Sequence, residues 1–474
     1  MFLRQVFDPN LAQYAYLIGC QRTGEAIVID PERDVERYRR LAAENDLRIS
    51  AVAETHIHAD FVSGARVLVE THGARGYLSA EGGPDWQSEW ARGLANVTLL
   101  HGGDAFHVGN IRFDVLHTPG HTPEHICFLV TDEGGGANEP VALLSGDFLF
   151  VGDAGRPDLL ETAAGIVGTR DEGAQELFAS LQRLAKLPEH LQVLPAHGAG
   201  SACGKALGSV PTSTIGYERR FNPTLRLALQ GSAAEFTASI LSGQPEPPLY
   251  FAEMKRVNRA GPALLAGPAQ PREWMVDATA AAAARGDIVV IDTRSREEFV
   301  RGHLPGSLFA PAAGSFSDFA GSYLAPSDKI VLVVEHERQV GPLVTQLFRI
   351  GFDHVAGWIA DARLPAAMAG VVELKKRKFA ELEALLASQP GAVILDVRRA
   401  SEFEHGHLRG ARNISHTRLR ARMADVPAAP LLIVHCQGGN RAASAAAFLS
   451  RGKRDVVLVD DSFTNAPSSL LEIA

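Results

Sequence analysis

Two hydrophobic rhythms divide this chain. In the first half, short apolar runs are broken by turn residues: A-Y-L-I near Tyr16, A-I-V-I-D near Ile27, I-S-A-V-A-E-T before His56, I-R-F-D-V-L before His117, H-I-C-F-L-V from His125 and V-A-L-L-S-G-D ending at Asp147. Runs of that length between turn signals predict β-strands, and the segments 61–73 and 174–187 predict helices. Polar residues gather at the strand ends, which predicts a layered α/β fold with its chemistry along one edge.

The second half repeats itself. I-V-V-I-D-T-R-S-R-E-E-F-V-R-G-H-L-P-G from Ile288 matches V-I-L-D-V-R-R-A-S-E-F-E-H-G-H-L-R-G from Val393, so that Asp292, Arg294, Glu298, Phe299, Gly302, His303 and Gly306 recur 104 residues later. Each copy runs on into an unbroken apolar strand, K-I-V-L-V-V from Lys329 or P-L-L-I-V-H from Pro430, and then a helix ending at Gly351 or Gly452. Apolar strands without alternation, each followed by a helix, predict parallel sheets in two copies of one domain. Pro- and Gly-rich sequence at 243–248 and 266–271 brackets the boundary. The expected organisation is therefore one domain over 1–245, a linker or extension over 246–272, and two repeats over 273–372 and 373–474.

At 474 residues the chain is long enough for about three domains of 100–200 residues. Its 46% apolar and 21% charged content is that of a globular protein. A net charge of −9 without a Lys/Arg cluster argues against nucleic acid and for small-molecule partners. No apolar run reaches the roughly 18 residues that cross a bilayer, and Arg4, Gln5, Asp8 and Asn10 interrupt any signal-peptide core. The expected location is the cytoplasm, away from membranes, with room for a homo-oligomer. Cys20, Cys127, Cys203 and Cys436 lie far apart, which is the usage of a reducing compartment.

Ten of the 17 histidines precede residue 200. His56, His58 and Asp60 follow one strand at alternate positions, so in extended geometry they face one way; His121 lies in a Pro-Gly turn after a second strand, Asp147 ends a third and His197 a fourth. His and Asp recurring at four strand ends predict a metal site. The motifs H-I-H-A-D, T-P-G-H-T, S-G-D and P-A-H-G, in this order, resemble the metallo-β-lactamase fold over residues 1–245. That resemblance implies an αβ/βα sandwich, here followed by the two repeated α/β domains with parallel sheets. In its two-zinc members, positions like His56, His58 and His121 hold one ion. Asp60, His197, a bridging Asp147 and a further His hold the other.

That further His is Phe61 here. A phenyl ring offers no electron pair, so a paired-zinc centre loses a ligand, whereas His56, His121 and Asp147 suffice for a facial triad on a single Fe(II) per chain. The persulfide dioxygenases of this fold resemble that solution. The resemblance implies His58, Asp60 and His197 as residues that orient ligands and bound water. Arg156 and Asp158 in G-R-P-D, Cys203 and Lys205 are expected at the substrate end. Cys203 and Cys20 are both candidates to approach the metal, and Cys127 is expected in the core.

In the second repeat, H-C-Q-G-G-N-R sets Cys436 between a buried strand and a helix, where backbone N–H groups stabilise a thiolate and cradle an anionic persulfide. Arg441 closes the loop with a charge. This segment resembles the rhodanese active loop, and four residues between Cys436 and Arg441 suit sulfur rather than phosphate. Aligned through Gly351 and Gly452, the first repeat has Glu335 in place of the nucleophile and Val340 in place of the Arg, and so is expected to lack sulfurtransferase activity.

The whole chain resembles a persulfide dioxygenase fused to two rhodanese domains. The resemblance implies oxidation of a thiol persulfide (glutathione, coenzyme A or similar) by dioxygen to sulfite, and rhodanese transfer that forms or uses thiosulfate, in sulfide detoxification. Two other readings stand beside it: a zinc thioester hydrolase like glyoxalase II, and a non-catalytic sulfane-sulfur carrier or sensor.

Overall fold

The computed structural model describes residues 1–162, 168–361 and 371–472. They form two compact units, Met1–Pro247 with Phe251–Gly267, and Pro268–Ala474 with Pro248–Tyr250.

The first unit is built on two six-stranded sheets. One runs in chain order through β1 (Phe2–Asp8), β2 (Gln13–Cys20), β3 (Glu25–Ile29), β4 (Arg48–Ala53), β5 (Arg75–Ser79) and β6 (Val97–Leu100). The other runs β12 (Ser213–Thr214), β11 (Gln192–Pro195), β10 (Ala142–Gly146), β9 (Ile126–Asp132), β8 (Ile111–His117) and β7 (Ala105–Val108).

Strand alternation builds the layers. Along β2 the even-numbered Tyr14, Tyr16, Ile18 and Cys20 enter the core between the sheets, while Ala15 and Leu17 turn outward to Tyr38 and Ala42 of the helix Glu36–Ala43. Phe113, Val115, Phe128, Val130 and Leu144 meet them from the second sheet. Cys127, Leu143 and Val193 face the other way, onto the helices Thr169–Leu184 and Ala233–Leu241. The inner strands β2, β3, β9 and β10 are thus buried on both faces, which explains why they read as continuous apolar runs. The result is a sandwich of helix, sheet, sheet and helix, and Cys127 lies in its core as expected.

The helix expected over 61–73 is shorter, Ala65–Glu70. Residues before it are held as a loop by side-chain hydrogen bonds: Asn258 Oδ1 accepts from the Ser63 N–H, and Asn258 Nδ2 donates to the carbonyls of His58 and Phe61. Asn258 belongs to the helix Tyr250–Ala260, so the stretch 246–272, expected as a linker or extension, contains a helix that braces the first unit.

In the second unit, two five-stranded sheets carry only parallel pairings. The duplicated sequence folds into duplicated geometry. Arg294 folds back on Asp292 and on the carbonyl of Gly302, as Arg398 does on Asp396 and Gly406. His303 stacks on Phe299 at 3.9 Å and His407 on Phe403 at 3.8 Å. The shared Asp, Arg and His are therefore scaffold. Residues 362–370, in the expected first repeat, lie outside the described residues. No described helix is long and apolar enough to cross a membrane.

Candidate metal centre and sulfur-transfer loop

Strand ends of both sheets converge at one edge of the sandwich. There one donor atom each from His56, His121 and Asp147 lies within 4.8 Å of the others, all buried. His121 Nε2 is 3.5 Å and His56 Nε2 4.0 Å from Asp147 Oδ2.

The neighbours of these rings fix which nitrogen carries a lone pair. His121 Nδ1 lies 2.9 Å from the carbonyl oxygen of Arg156, an acceptor only, so the proton is on Nδ1 and the lone pair on Nε2. The Thr55 hydroxyl donates to Asp30 Oδ2 at 2.9 Å and accepts from His56 Nδ1 at 2.9 Å, which leaves His56 Nε2 free in the same way. Burial, reinforced by neighbouring histidines, holds both imidazoles well below their usual pKa and therefore neutral. His125, held neutral at about 3 by burial, accepts the Asp147 N–H at Nε2 and sets that carboxylate in place. Two neutral imidazoles and a carboxylate with ordered lone pairs fit a borderline divalent metal such as iron or zinc.

Of the three residues expected to orient this set, two sit beside it and one turns away. Asp60 Oδ2 and Asp147 Oδ1 lie 3.3 and 3.4 Å from His197 Nε2. His58 instead points Nε2 at Asp30 and Glu54, and its other face stacks on Phe61 at 4.4 Å. Burial opposes its charged form, but those carboxylates outweigh burial and raise it to about 10.

Two residues expected at the substrate end, Arg156 and Lys205, and Cys20, a candidate to approach the metal, lie elsewhere in the structure. Arg156 is fully buried: it grips Asp158 through two hydrogen bonds and donates to the carbonyls of Ala202 and Pro245. Each of its nitrogens is thereby engaged within the fold. Lys205 donates to the carbonyls of Ser239 and Ser242 at the end of the helix Ala233–Leu241, not to a cavity. Cys20 is remote from the metal edge. Gln13, at the other end of β2, bridges to His197, and seven extended residues separate it from Cys20 by roughly 23 Å. Cys203 does reach the centre, grouped with Asp60 and His197.

The structure adds residues the sequence did not single out. A cavity of about 700 Å³ opens beside the centre, lined by Ile57, Gly120, Glu172, Glu176, Lys255 and Arg256 among others. Lys255 lies over the Trp86 ring at 4.4 Å, and burial pushes its pKa down to about 8. Nothing in its surrounding sequence marks it, because it reaches the cavity from a helix 200 residues beyond the first metal motif.

In the second unit, Cys436 follows the strand Leu432–His435 and precedes the helix Asn440–Ser450. The Gly439 N–H points at Cys436 Sγ from 3.0 Å, and Gly439 has φ +100°, a conformation that favours glycine. Arg441 closes the loop as expected, but its guanidinium forms a two-bond pair with Glu402 at 2.6 and 2.8 Å. The other side of the loop is held by the first repeat: Arg296 donates to the Gly438 carbonyl and to Asn440 Oδ1, and pairs with Asp460.

Strand register corrects the position that replaces the nucleophile. Asp292 pairs with Val333 as Asp396 pairs with His435, so buried Val334, not Glu335, stands in the place of Cys436. The segment from there to the helix end is one residue longer in the first repeat, which shifts an alignment made through Gly351 and Gly452. The first repeat still has no thiol.

An αβ/βα sandwich with a His/His/Asp donor set at its edge defines a metal-binding protein of the metallo-β-lactamase fold. The metallo-beta-lactamase superfamily model matches residues 8–197, and the rhodanese-like domain model matches 275–358 and 378–466. The crystal structure of a metallo-beta-lactamase from Staphylococcus aureus is 39% identical, with a TM-score of 0.67, over 76% of this chain and 98% of that one. A mitochondrial persulfide dioxygenase of Bos taurus is 27% identical over 48% of this chain and 78% of its own. A probable zinc-dependent hydrolase of polyketide biosynthesis from Bacillus velezensis is 27% identical over 45% and 85%. The chain belongs to the metallo-β-lactamase superfamily, and two rhodanese-like domains follow the metal-binding one along the sequence.

Proposed function

We propose that the first unit is an iron-dependent persulfide dioxygenase and that the second transfers sulfane sulfur through Cys436. The observation that carries the first part is the convergence of neutral His56, neutral His121 and Asp147 beside a cavity large enough for an organic thiol. Three protein donors leave coordination positions for substrate and dioxygen, and a bound Fe(II) would supply the redox chemistry. The reaction is R–S–S–H + O2 + H2O → R–SH + sulfite + 2 H⁺, in which the terminal sulfur gives four electrons to dioxygen.

The chain's own groups bind and orient. Lys255, close enough to lower the pKa of His56 and His121, offers an ammonium to the anionic persulfide at the cavity wall. Ile57 and Pro123 line the same cavity with apolar surface. Glutathione, coenzyme A or a similar thiol is the carrier in this reading.

In the second unit the Cys436 thiolate attacks the outer sulfur of a thiol persulfide and the S–S bond of the donor breaks, R–S–S–H + Cys–S⁻ → R–S–H + Cys–S–S⁻, with the Gly439 N–H holding the negative persulfide. Sulfite then takes the outer sulfur: Cys–S–S⁻ + SO3²⁻ → Cys–S⁻ + S2O3²⁻. The reverse reaction would load Cys436 from thiosulfate.

A zinc hydrolase is the second reading, favoured by the likeness to the Bacillus velezensis protein. Anaerobic purification, iron and zinc quantification, and oxygen uptake on glutathione and coenzyme A persulfides decide between them. Iron with oxygen consumed and sulfite formed supports the dioxygenase; zinc, no oxygen uptake and cleavage of a thioester would replace it.

A further inference from the structure

The repeat without a cysteine reaches the sulfur-transfer loop of the other through one peptide group. Arg296, the first residue of the helix Arg296–Arg301, donates from one terminal nitrogen to the Gly438 carbonyl and, at 3.2 Å, to Asn440 Oδ1. The amide on the far side of that same peptide belongs to Gly439, and its N–H points at Cys436 Sγ from 3.0 Å. A guanidinium, one peptide unit and the nucleophilic sulfur thus form a continuous chain of hydrogen bonds across the two repeats.

Such a chain has a direction. A cation on a carbonyl oxygen draws electron density through the conjugated C–N bond and leaves the amide proton more positive, so each bond strengthens the next. The loop's own cation does not do this, because Arg441 commits both terminal nitrogens to Glu402 at 2.6 and 2.8 Å. Asp460 holds Arg296 Nε at 3.0 Å, but its second oxygen lies 3.6 Å from Lys376 Nζ, so the guanidinium is not cancelled.

The placement is fixed on both sides. A side chain at Gly439 would strike the Arg296 guanidinium, which shows how closely the cation lies on the loop. In the helix that follows the loop, buried Ser444 donates from Oγ to the Phe309 carbonyl of the first repeat at 2.7 Å. The rings of Tyr323 and Phe448 meet across the same boundary with centroids 5.1 Å apart.

We propose that Arg296 is a positioning residue for sulfur transfer, acting through the Gly438–Gly439 peptide on the sulfur of Cys436, and that supplying it is the task of the repeat without a cysteine. This role rests on the reading that Cys436 carries sulfane sulfur. It bears on the unloading step. When sulfite takes the outer sulfur, Cys–S–S⁻ + SO3²⁻ → Cys–S⁻ + S2O3²⁻, the S–S bond breaks and its electron pair stays on Sγ, with no proton exchanged. Charge therefore develops on the atom that the Gly439 N–H faces, and a polarised donor already aimed there lowers the barrier without reorganising.

The test loads Cys436 of the anaerobic full-length chain with glutathione persulfide, adds sulfite, and follows loss of the extra sulfur from the Cys436 peptide by mass spectrometry. Wild type, Arg296→Met and Arg296→Lys are compared. At saturating sulfite, Arg296→Met should slow unloading by about 10-fold, less than the roughly 10²–10³ that loss of a direct donor costs, and leave the half-saturating sulfite concentration unchanged. Arg296→Lys, which returns a cation to the carbonyl, should recover most of the rate. With only glycine isotope-labelled, NMR reads the Gly438–Gly439 peptide directly, its signal identified by its loss in Gly438→Ala. The Gly439 amide proton should move upfield in Arg296→Met and back in Arg296→Lys. An unloading rate equal to wild type in Arg296→Met, a slowing that Arg296→Lys does not relieve, or an unmoved Gly439 amide removes Arg296 from this role. Should Arg296→Met not fold, Arg296→Gln, which keeps a donor without the charge, is read against the same outcomes. A wild type that takes up no sulfur at Cys436 refutes the transfer reading instead, and the amide shift still decides by itself whether Arg296 polarises the peptide.

Discussion

His58 Nε2 lies 3.2 Å from Asp30 Oδ1 and 3.6 Å from Glu54 Oε2, with every partner buried. A charged imidazole on the Asp30 carboxylate, with Glu54 beside it, stabilises the fold beneath the metal centre. Replacing it with a neutral group strands Asp30, and breaking a buried pair in this way costs about 3–5 kcal/mol. His58→Gln should therefore lower the unfolding free energy by that order in urea titrations. The pH dependence has a definite sign. His58 is raised to about 10, so its contribution is full below its unfolded value near 6.5 and is lost as pH rises toward 10. Glu54, raised by burial to about 8, acts in the same direction. A wild-type stability that does not decline over that range would refute the ion pair.

Lys255 should set the pH profile of substrate binding. Its charge is present below about 8 and lost above. The apparent KM for an anionic persulfide should rise as pH passes through 8, with kcat less affected. Lys255→Met should raise KM by about 10- to 100-fold at pH 7, the worth of a charge-assisted hydrogen bond of about 1.5–3 kcal/mol, and flatten the profile. An unchanged KM in the variant would remove Lys255 from the substrate site.

Cys436→Ser should abolish thiosulfate sulfurtransferase activity while oxygen consumption per bound iron persists. Val334→Cys should not restore transfer. The first repeat offers E-H-E-R-Q-V where the second has Q-G-G-N-R, and so lacks the Gly-Gly turn that aims an N–H at the sulfur. Transfer that survives Cys436→Ser would mean another nucleophile.

Metal removal should destabilise the first unit. His56, His121 and Asp147 converge only in the folded chain, so an ion bound there stabilises by mass action, by about 2.7 kcal/mol at 100 times its Kd. Chelation should lower the melting temperature of wild-type but have little further effect on His121→Ala. Equal shifts in both proteins would place the stabilising ion elsewhere.

How far the sequence could be read depends on where each signal lives. Strand ends at His56, His121, Asp147 and His197 were legible because turn residues and apolar runs are local. Repetition revealed the second unit because Asp, Arg, Phe and His recur together as scaffold. Arg156 and Lys205 misled, since a cation near a metal motif reads alike whether it meets substrate or a buried carbonyl. Lys255 and Asn258 were invisible because their roles depend on a helix returning from far along the chain. Val334 was displaced by one residue because helix ends, not strand pairs, set the alignment.

The grip of Arg296 on the Gly438 carbonyl and Asn440 has a practical side for anyone dividing this molecule. In the second repeat, the residue matching Arg296 is Ala400, so the duplicated domain has no equivalent hand of its own. A fragment starting at residue 373 would carry the nucleophile but not the clasp on its loop. The two repeats should be cloned, swapped or transplanted as one cassette, with the copy that lacks a cysteine treated as part of the tool.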